Sequence, residues 1–352
     1  MTTSLGAAAR RINWGKVAIV LAALLLFILA IQLLKSGARA LVPYIQGWAV
    51  SNAANALGFG WLFAYGVLSG SPVAATALTF FDAGAIDQLG AFAMIAGSRF
   101  GASFIVLALG FVYALRGHNK RDSLAMGLLS LLVTFAIYTP ALLVGYSLLE
   151  SRVLDWLTPR EAWPLLSLLD VLFDPVIGLA ERTLPQLAVF ALGFGVLWFS
   201  LNLIDRGLPE FHLQEHPGQR WLERPWFTFL LGLGITSLTM SVSVSLSILV
   251  PLAVRGYVRR GNVIPYIMGA NITTFIDTLV AALLLNNPPA FVVVLAEMLS
   301  VTIVSLIILL VGYRPYESAL LHIADAIGHS RRTLAIFLLV ILVIPLALLL
   351  VR

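Results

Sequence analysis

The sequence predicts an all-α polytopic membrane protein made of two inverted repeats. Each repeat would contain a spanning helix, a re-entrant hairpin, a broken helix and a second spanning helix. Hydrophobic residues make up 60% of the chain and charged residues 11%, whereas soluble domains average about 25% charged residues. Residues 66–115 align without a gap with residues 238–287, so that Ser69, Ser71 and Gly97 recur as Ser241, Ser243 and Gly269. The composition indicates the membrane, and the alignment indicates the duplication.

Charge and cysteine content exclude several other classes of protein. The net charge is +5, but the basic residues lie at the ends of apolar runs, which is typical of membrane orientation rather than of nucleic-acid binding. The chain has no cysteine, which excludes a disulfide scaffold and thiolate metal sites. Residues 17–34 follow Arg10, Arg11 and Lys16. That run is too long for a signal peptide, so it is interpreted as the first membrane helix.

Seven apolar runs are long enough to cross a bilayer, since about 20 helical residues span its hydrocarbon core. These runs are residues 17–34, 88–115, 122–149, 185–204, 261–285, 290–312 and 333–351.

Two further runs, 53–81 and 226–253, are rich in Gly, Ser and Thr at their centres. The expected location is the cell inner membrane, with the N-terminus in the cytoplasm. If the two runs are re-entrant hairpins, most of the 22 Lys and Arg residues lie on the cytoplasmic side. Full crossings would place the basic clusters 206–224 and 255–260 on opposite sides. The positive-inside rule therefore favours hairpins.

Equivalent loops of the two copies differ in charge, which predicts that the copies are inverted in the membrane. Asp82 and Asp87 follow the first hairpin, whereas Arg255, Arg259 and Arg260 follow the second. The predicted organisation is a first repeat at 1–149 (hairpin 53–81, broken helix 88–115), an extracytoplasmic amphipathic connector at 150–184, a second repeat at 185–312 (hairpin 226–253, broken helix 261–285) and a cytoplasmic amphipathic segment with an extra membrane helix at 313–352.

Serines at the centres of both hairpins are candidate ligands. Ser69 and Ser71 have Ser241 and Ser243 as equivalents, with Ser245 following. A hairpin turn lies near the bilayer midplane, where irregular backbone persists only inside protein or beside a wet cavity. Helices that start there direct their positive ends at an anion. Small residues that let helices approach closely are the alternative interpretation of any single serine.

The two predicted breaks cover Gly97–Ser103 and Gly269–Phe275. Breaks expose backbone carbonyls and helix ends that coordinate ions or substrates, and Asn271 and Thr274 add side-chain oxygens there. Glycine kinks used only for packing are the alternative.

Three ionisable residues lie inside predicted spans: Arg99, Asp277 and Glu297. Such residues are costly in lipid and are usually paired and functional. Arg99 either faces a substrate or pairs with Asp277, and a purely structural salt bridge between the halves is a further reading. Glu297 is interpreted as structural or as a proton carrier.

No enzyme is predicted, and no cofactor. The five histidines fall in loops or interfacial segments, no His, Asp and Glu set has catalytic or metal-ligand spacing, and the phosphate-loop pattern of ATP-driven proteins does not occur.

The segment Gly269-Ala270-Asn271-Ile272-Thr273-Thr274, preceded by a Ser-rich hairpin turn and present in two copies, resembles the sodium/phosphate cotransporter family. The similarity is to a divergent bacterial-type member without a C-terminal regulatory domain. It implies substrate contacts from Ser69, Ser71, Ser241, Ser243, Asn271 and Thr274. Arg99 stands where the family has Asn, and we hypothesise that it supplies positive charge that the family obtains from sodium. Candidate ion-coupling residues are Ser103, Ser245, Thr273, Asp277 and Glu297.

The expected function is secondary active transport, most simply sodium-coupled symport of phosphate or a related oxyanion by alternating access. Expected partners are a small inorganic anion, with phosphate as first candidate, and the lipid bilayer. A homodimer is one option, and no nucleic acid is expected. Two alternatives stay open: a transporter of the same fold for another solute with proton coupling, and a non-transporting membrane scaffold or partner subunit.

Overall fold

A computed structural model describes residues 14–47, 52–115, 120–158, 164–207, 224–240, 242, 245 and 260–351. Within these residues every regular element is a helix, and seven helical stretches are long and apolar enough to span a membrane. Those stretches overlap the seven runs chosen from the sequence, so the prediction of an all-α polytopic membrane protein is confirmed.

Fourteen α-helices lie in the described parts of the chain. They are α1 (Trp14–Ala38), α2 (Val42–Gly47), α3 (Ala53–Val67), α4 (Ser71–Asp82), α5 (Gln88–Leu115), α6 (Lys120–Glu150), α7 (Pro164–Thr183), α8 (Gln186–Gly207), α9 (Pro225–Thr239), α10 (Arg260–Thr273), α11 (Ile276–Leu284), α12 (Pro288–Val311), α13 (Tyr313–His329) and α14 (Arg331–Leu349). Helices α3 and α4 form the first hairpin, whose turn is Leu68–Gly70.

Helices α3 and α9 have the same limits once the 172-residue offset of the two copies is applied. Both end on a non-glycine residue in the left-handed region, Leu68 at φ 55° and Met240 at φ 52°. Such a conformation is uncommon for residues other than glycine. Its recurrence at equivalent positions means that α3 and α9 end in the same way in the two copies.

Glycines bring α3 into close contact with α5, and α9 into close contact with α10. A Cβ on Gly97 would collide with the Leu57 carbonyl of α3, and a Cβ on Gly269 would collide with the equivalent Phe229 carbonyl of α9. Gly60 against Met94 and Gly232 against Tyr266 form a second equivalent pair. Close backbone contact through small residues is how membrane helices pack. The inversion of the repeats and their boundaries stay predictions.

The predicted break at Gly97–Ser103 is wrong, because α5 runs without interruption from Gln88 to Leu115. Its glycines serve packing instead: Gly101 lies against the Trp61 carbonyl and Ala64 of α3, where a side chain would not fit. In the second copy the helix does stop, between the end of α10 at Thr273 and the start of α11 at Ile276. Residues 269–273 are helical, so the interruption is confined to Thr274 and Phe275.

The C-terminal helix α14 braces the first hairpin. Asn55 of α3 donates its amide hydrogens to the carbonyls of Leu348, Leu349 and Val351, at 2.8–3.2 Å. The Tyr65 hydroxyl donates to the Ile341 carbonyl at 3.1 Å. The Asn55 bonds satisfy carbonyls at the end of α14 that have no partner within the helix. Ile341 lies in the middle of α14, where its carbonyl lacks the usual helical donor because residue 345 is a proline.

A polar cluster joins the first hairpin to the second copy. Lys35 at the end of α1 donates to the Leu285 carbonyl after α11 (2.7 Å) and lies 3.8 Å from Asp82 at the end of α4. Asn287, which caps α12, donates to the same Asp82 carboxylate at 2.9 Å. Elements from both copies therefore meet at one end of the bundle.

Candidate functional site

A cavity of about 310 Å³ lies between the first hairpin turn, α5, α6, α8 and the end of α10. Polar and apolar side chains share its wall: Val67, Leu68, Ser69, Gly70, Ser71, Arg99, Ala102, Ser103, Val106, Ser130, Thr134, Trp198, Leu201, Asn202, Val242, Asn271 and Thr274. Six residues predicted from the sequence are thereby brought to one place, namely Ser69, Ser71, Arg99, Ser103, Asn271 and Thr274.

Arg99 provides the cationic group in the cavity wall. It is only 6% exposed, and its guanidinium lies 5.8 Å from the centre of the Phe275 ring. A Cβ added to Gly70 would be 3.1 Å from Nη1 of Arg99, so the glycine leaves room for the guanidinium at the hairpin turn. Nε of Arg99 is buried and has no hydrogen-bond partner in the described part of the chain. An unpaired buried donor of this kind is available to a bound anion.

Helix α6 supplies further polar groups to the cavity wall. Thr134 donates its hydroxyl hydrogen to the Ser130 carbonyl at 2.9 Å and accepts a bond from Nδ2 of Asn271 at 3.2 Å. The Tyr138 hydroxyl donates to the backbone carbonyl of Asn271 at 2.9 Å. Two side chains of α6 therefore fix the position of Asn271, which is 1% exposed.

The serines of the cavity differ in what they have left to offer. Ser103 donates to the Phe100 carbonyl at 2.8 Å, which leaves its oxygen as an acceptor. Ser69 and Ser71 lie at the hairpin turn in the cavity wall. The Ser71 hydroxyl is a hydrogen-bond donor to the buried Asp277 carboxylate, whereas the Ser69 hydroxyl can donate to a ligand. Hydroxyls that donate and a guanidinium suit the oxygens of an anion.

Two buried carboxylates lie behind this wall. Asp277 is 3% exposed and accepts from the backbone N–H and the hydroxyl of Thr278, while its Oδ2 has no partner. Glu297 on α12 is 1% exposed, and its Oε2 also has no partner. Both interact electrostatically with Arg99, although neither forms an ion pair with it among the described residues. The predicted Arg99–Asp277 pairing is therefore a longer-range interaction, and Arg99 faces the cavity.

Four predicted residues lie outside the cavity wall: Asp277, Glu297, Thr273 and Ser245. Thr273 donates to the Leu233 carbonyl at 3.0 Å, and the Ser245 hydroxyl bonds to Thr236 and Tyr266 at 2.7 Å each. Ser241 and Ser243 lie outside the described residues.

Sequence reasoning missed the contributions of α6 and α8. Ser130 and Thr134 are four residues apart, so they share one face of a helix that is otherwise apolar. That spacing could have identified them. Trp198 and Asn202 on α8 are also four residues apart, but Asn202 is the only polar member of that pair with side-chain donors and acceptors typical of a binding site, and neither residue lies near a predicted motif. Within the described residues no three His, Cys, Asp or Glu side chains are grouped to hold a metal ion.

A comparison with known protein families finds a match in the second half of the chain. Residues 215–348 match the family described as Na+/Pi-cotransporter. The match supports membership in the Na+/Pi-cotransporter family. No curated protein and no solved structure matches the chain.

The residues matched to the Na+/Pi-cotransporter family include Asn271, Thr274, Asp277 and Glu297. Arg99 and the first hairpin lie outside the matched range and are connected to it by the internal duplication. With seven helices long and apolar enough to span a bilayer among the described residues, the chain is a multi-pass membrane protein, and its second half is similar to a transporter family.

Proposed function

We propose that this protein is a secondary transporter that carries phosphate, or a related oxyanion, together with sodium by alternating access. One observation carries the proposal: a buried arginine faces a cavity that is lined by residues of both copies. Equivalent positions in the two copies, Arg99 and Asn271, face that cavity. Sites at the contact between two repeats are typical of transporters that rock one half against the other.

Arg99 supports an anionic substrate. A buried guanidinium without an ion pair is expensive in a membrane, and a bound oxyanion would supply its partner. Helix α4 also begins at Ser71 in the cavity wall, and the positive end of a helix favours negative charge.

Oxygen atoms near the helix interruption support a coupling cation. Thr274 and Phe275 separate α10 from α11, and the last carbonyls of α10 lack helical partners there. Unwound carbonyls and helix ends coordinate Na+ in discontinuous transporter helices. Asp277, with one unpartnered carboxylate oxygen, lies within the first turn of α11.

The test is uptake of radiolabelled phosphate into liposomes that contain the purified protein, with sodium or choline outside. Arg99→Ala should lower apparent phosphate affinity by roughly 10- to 150-fold, since a hydrogen bond to a charged group contributes about 1.5–3 kcal/mol. Arg99→Lys, which keeps the charge, should retain part of the affinity. Phosphate uptake that is unaffected by Arg99→Ala would refute the assigned role of the arginine.

Proton coupling is a second candidate, because both Asp277 and Glu297 are buried with an unpartnered oxygen. A carboxylate in that setting can take up a proton in place of a cation. Flux that depends on pH and continues in choline would favour this candidate, and Glu297→Gln should then abolish the pH dependence.

A further inference from the structure

The orientation of the Asn271 amide is fixed by a chain of hydrogen bonds. The Thr134 hydroxyl donates its hydrogen to the Ser130 carbonyl, one turn earlier in α6. The Thr134 oxygen can then only accept from its other neighbour, so the group facing it must be the NH2 of Asn271, at 3.2 Å. A flipped amide would place two acceptors against each other. The orientation of the Asn271 amide therefore follows from its hydrogen-bond donors and acceptors.

The backbone of Asn271 is held as well. Tyr138 donates to its carbonyl at 2.9 Å, and this carbonyl belongs to the last turn of α10, where helical partners are lacking. Residues Thr134 and Tyr138, one turn apart on α6, thus hold the side chain and the main chain of one cavity residue.

The side-chain amide of Asn271 has one atom left for a ligand, the acceptor Oδ1. Oδ1 of Asn271 is buried and has no hydrogen-bond partner among the described residues, although Asn271 lies in the cavity wall. An amide oxygen repels the oxygens of a fully deprotonated anion and accepts a hydrogen bond from a hydroxyl. The equivalent position in the first copy is Arg99, which only donates. The cavity therefore offers one strong donor and one orphaned acceptor.

We propose that Asn271 accepts the proton that an oxyanion carries on one of its own oxygens, and that Thr134 is the positioning residue that keeps Oδ1 available for it. The site would then select hydrogen phosphate and hydrogen arsenate, which keep a hydroxyl near neutral pH, and reject sulfate, which has none. This inference rests on the proposed function, because it requires an oxyanion in the cavity.

The first experiment uses the wild-type protein and measures the affinity for phosphate, arsenate and sulfate. Leaving a buried acceptor unsatisfied costs about 1–3 kcal/mol, so sulfate should bind roughly 5- to 150-fold more weakly than phosphate. Equal affinity for sulfate and phosphate would overturn the inference while leaving oxyanion transport intact. A protein that binds none of the three anions, with or without sodium, would overturn the proposed function itself.

Methyl phosphate as a ligand distinguishes the effect of the ligand's proton on affinity from the effect of its net charge. A phosphate monoester loses its last proton with a pKa of about 6, whereas phosphate undergoes the same change in charge between pH 5.5 and 8 and still retains one proton. Methyl phosphate affinity should therefore fall at pH 8 relative to phosphate affinity. Titration of Asp277 or Glu297 would affect both ligands alike, so a parallel loss for both would contradict the inference.

The second experiment compares Thr134→Val with Thr134→Ser. Valine keeps the shape but removes the acceptor for Nδ2, so the amide can turn its NH2 towards the ligand, and sulfate binding should improve until most of the discrimination is lost. Serine keeps the hydroxyl and should keep the wild-type ratio of sulfate to phosphate affinity. An unchanged ratio in Thr134→Val would contradict the positioning role. So would a change confined to the sodium dependence of phosphate binding, which would assign Oδ1 to the cation.

Discussion

The α3–α5 and α9–α10 helix pairs pack in the same way but differ in helix length. Helix α5 continues past its contact with α3, whereas α10 ends at its contact with α9. Both pairs use a glycine against an equivalent carbonyl, Gly97 in α5 and Gly269 in α10. Four residues further along, the copies differ. Gly101 lies against the Trp61 carbonyl, while the equivalent Thr273 bonds its hydroxyl to the Leu233 carbonyl.

This difference shows that a glycine in a membrane helix does not by itself break the helix. A glycine permits close contact, and the contact helps to hold the continuous helix in place. At Thr273 a side chain stands between the two helices, and α10 ends there. The same divergence produced the donor Arg99 in one copy and the acceptor Asn271 in the other, so a duplicated scaffold carries complementary groups.

The glycine contacts give the largest expected effect. Gly97→Ala and Gly269→Ala should each lower the free energy of unfolding in detergent by about 3 kcal/mol, because the new methyl group meets backbone that cannot yield. Gly66→Ala and Gly234→Ala are matched controls in α3 and α9, where a Cβ meets nothing within 4 Å. They should be neutral or stabilise by about 0.5–1 kcal/mol. A large loss in one copy alone would show that the two contacts are not equivalent.

Asn55 tests an asymmetry between the copies. Asn55→Ala should cost about 2 kcal/mol, because carbonyls at the end of α14 lose their donor. The equivalent residue of α9 is Phe227, which cannot donate from its side chain. Thermal unfolding of the purified protein measures the effect, and Asn52→Ala, which removes one bond of 3.2 Å to Val351 and an N-cap to α3, is the comparison. Should Asn55→Ala unfold like the wild type, α14 does not brace the first hairpin.

Thr273 gives the smallest expected effect. Thr273→Val keeps the shape and removes a hydrogen bond to the Leu233 carbonyl, which also accepts from Ser237 at 2.8 Å. Because that carbonyl keeps a second partner, the expected loss is about 1 kcal/mol. Chemical denaturation with and without phosphate provides the measurement. A loss as large as that of Gly269→Ala would mean that the hydroxyl, and not the bulk of the side chain, defines the end of α10.

Most of the fold was predictable because lipid imposes simple rules. Apolar length located the seven spans. The alignment of the copies located the first hairpin turn and the recurring Gly97 and Gly269, but it assigned both glycines to breaks and not to helix contacts. The predicted break in α5 failed because glycine and serine are consistent with both a kink and a close contact. Only the partner helix distinguishes them: Leu57 and Trp61 of α3 offer carbonyls at the right distance.

Part of the candidate site was predictable for a different reason. Arg99 is an ionisable residue in an apolar run, and Asn271 and Thr274 lie in a polar interruption, so each carries a local signal. Ser130 and Thr134 are ordinary residues for a membrane helix. Their spacing places both on one face of α6, but only the tertiary structure shows that this face meets Asn271 at the end of α10.

By itself, the sequence determined the membrane environment, the duplication and the residues whose burial in lipid would need a reason, since composition and repeat spacing are properties of the chain. The tertiary structure decided which segments continue as helices, that Arg99 faces a cavity and forms no ion pair with a described residue, and that the amide atom of Asn271 without a described partner is its oxygen. Those features depend on which donor meets which acceptor across helices far apart in the chain, and only packing brings them together.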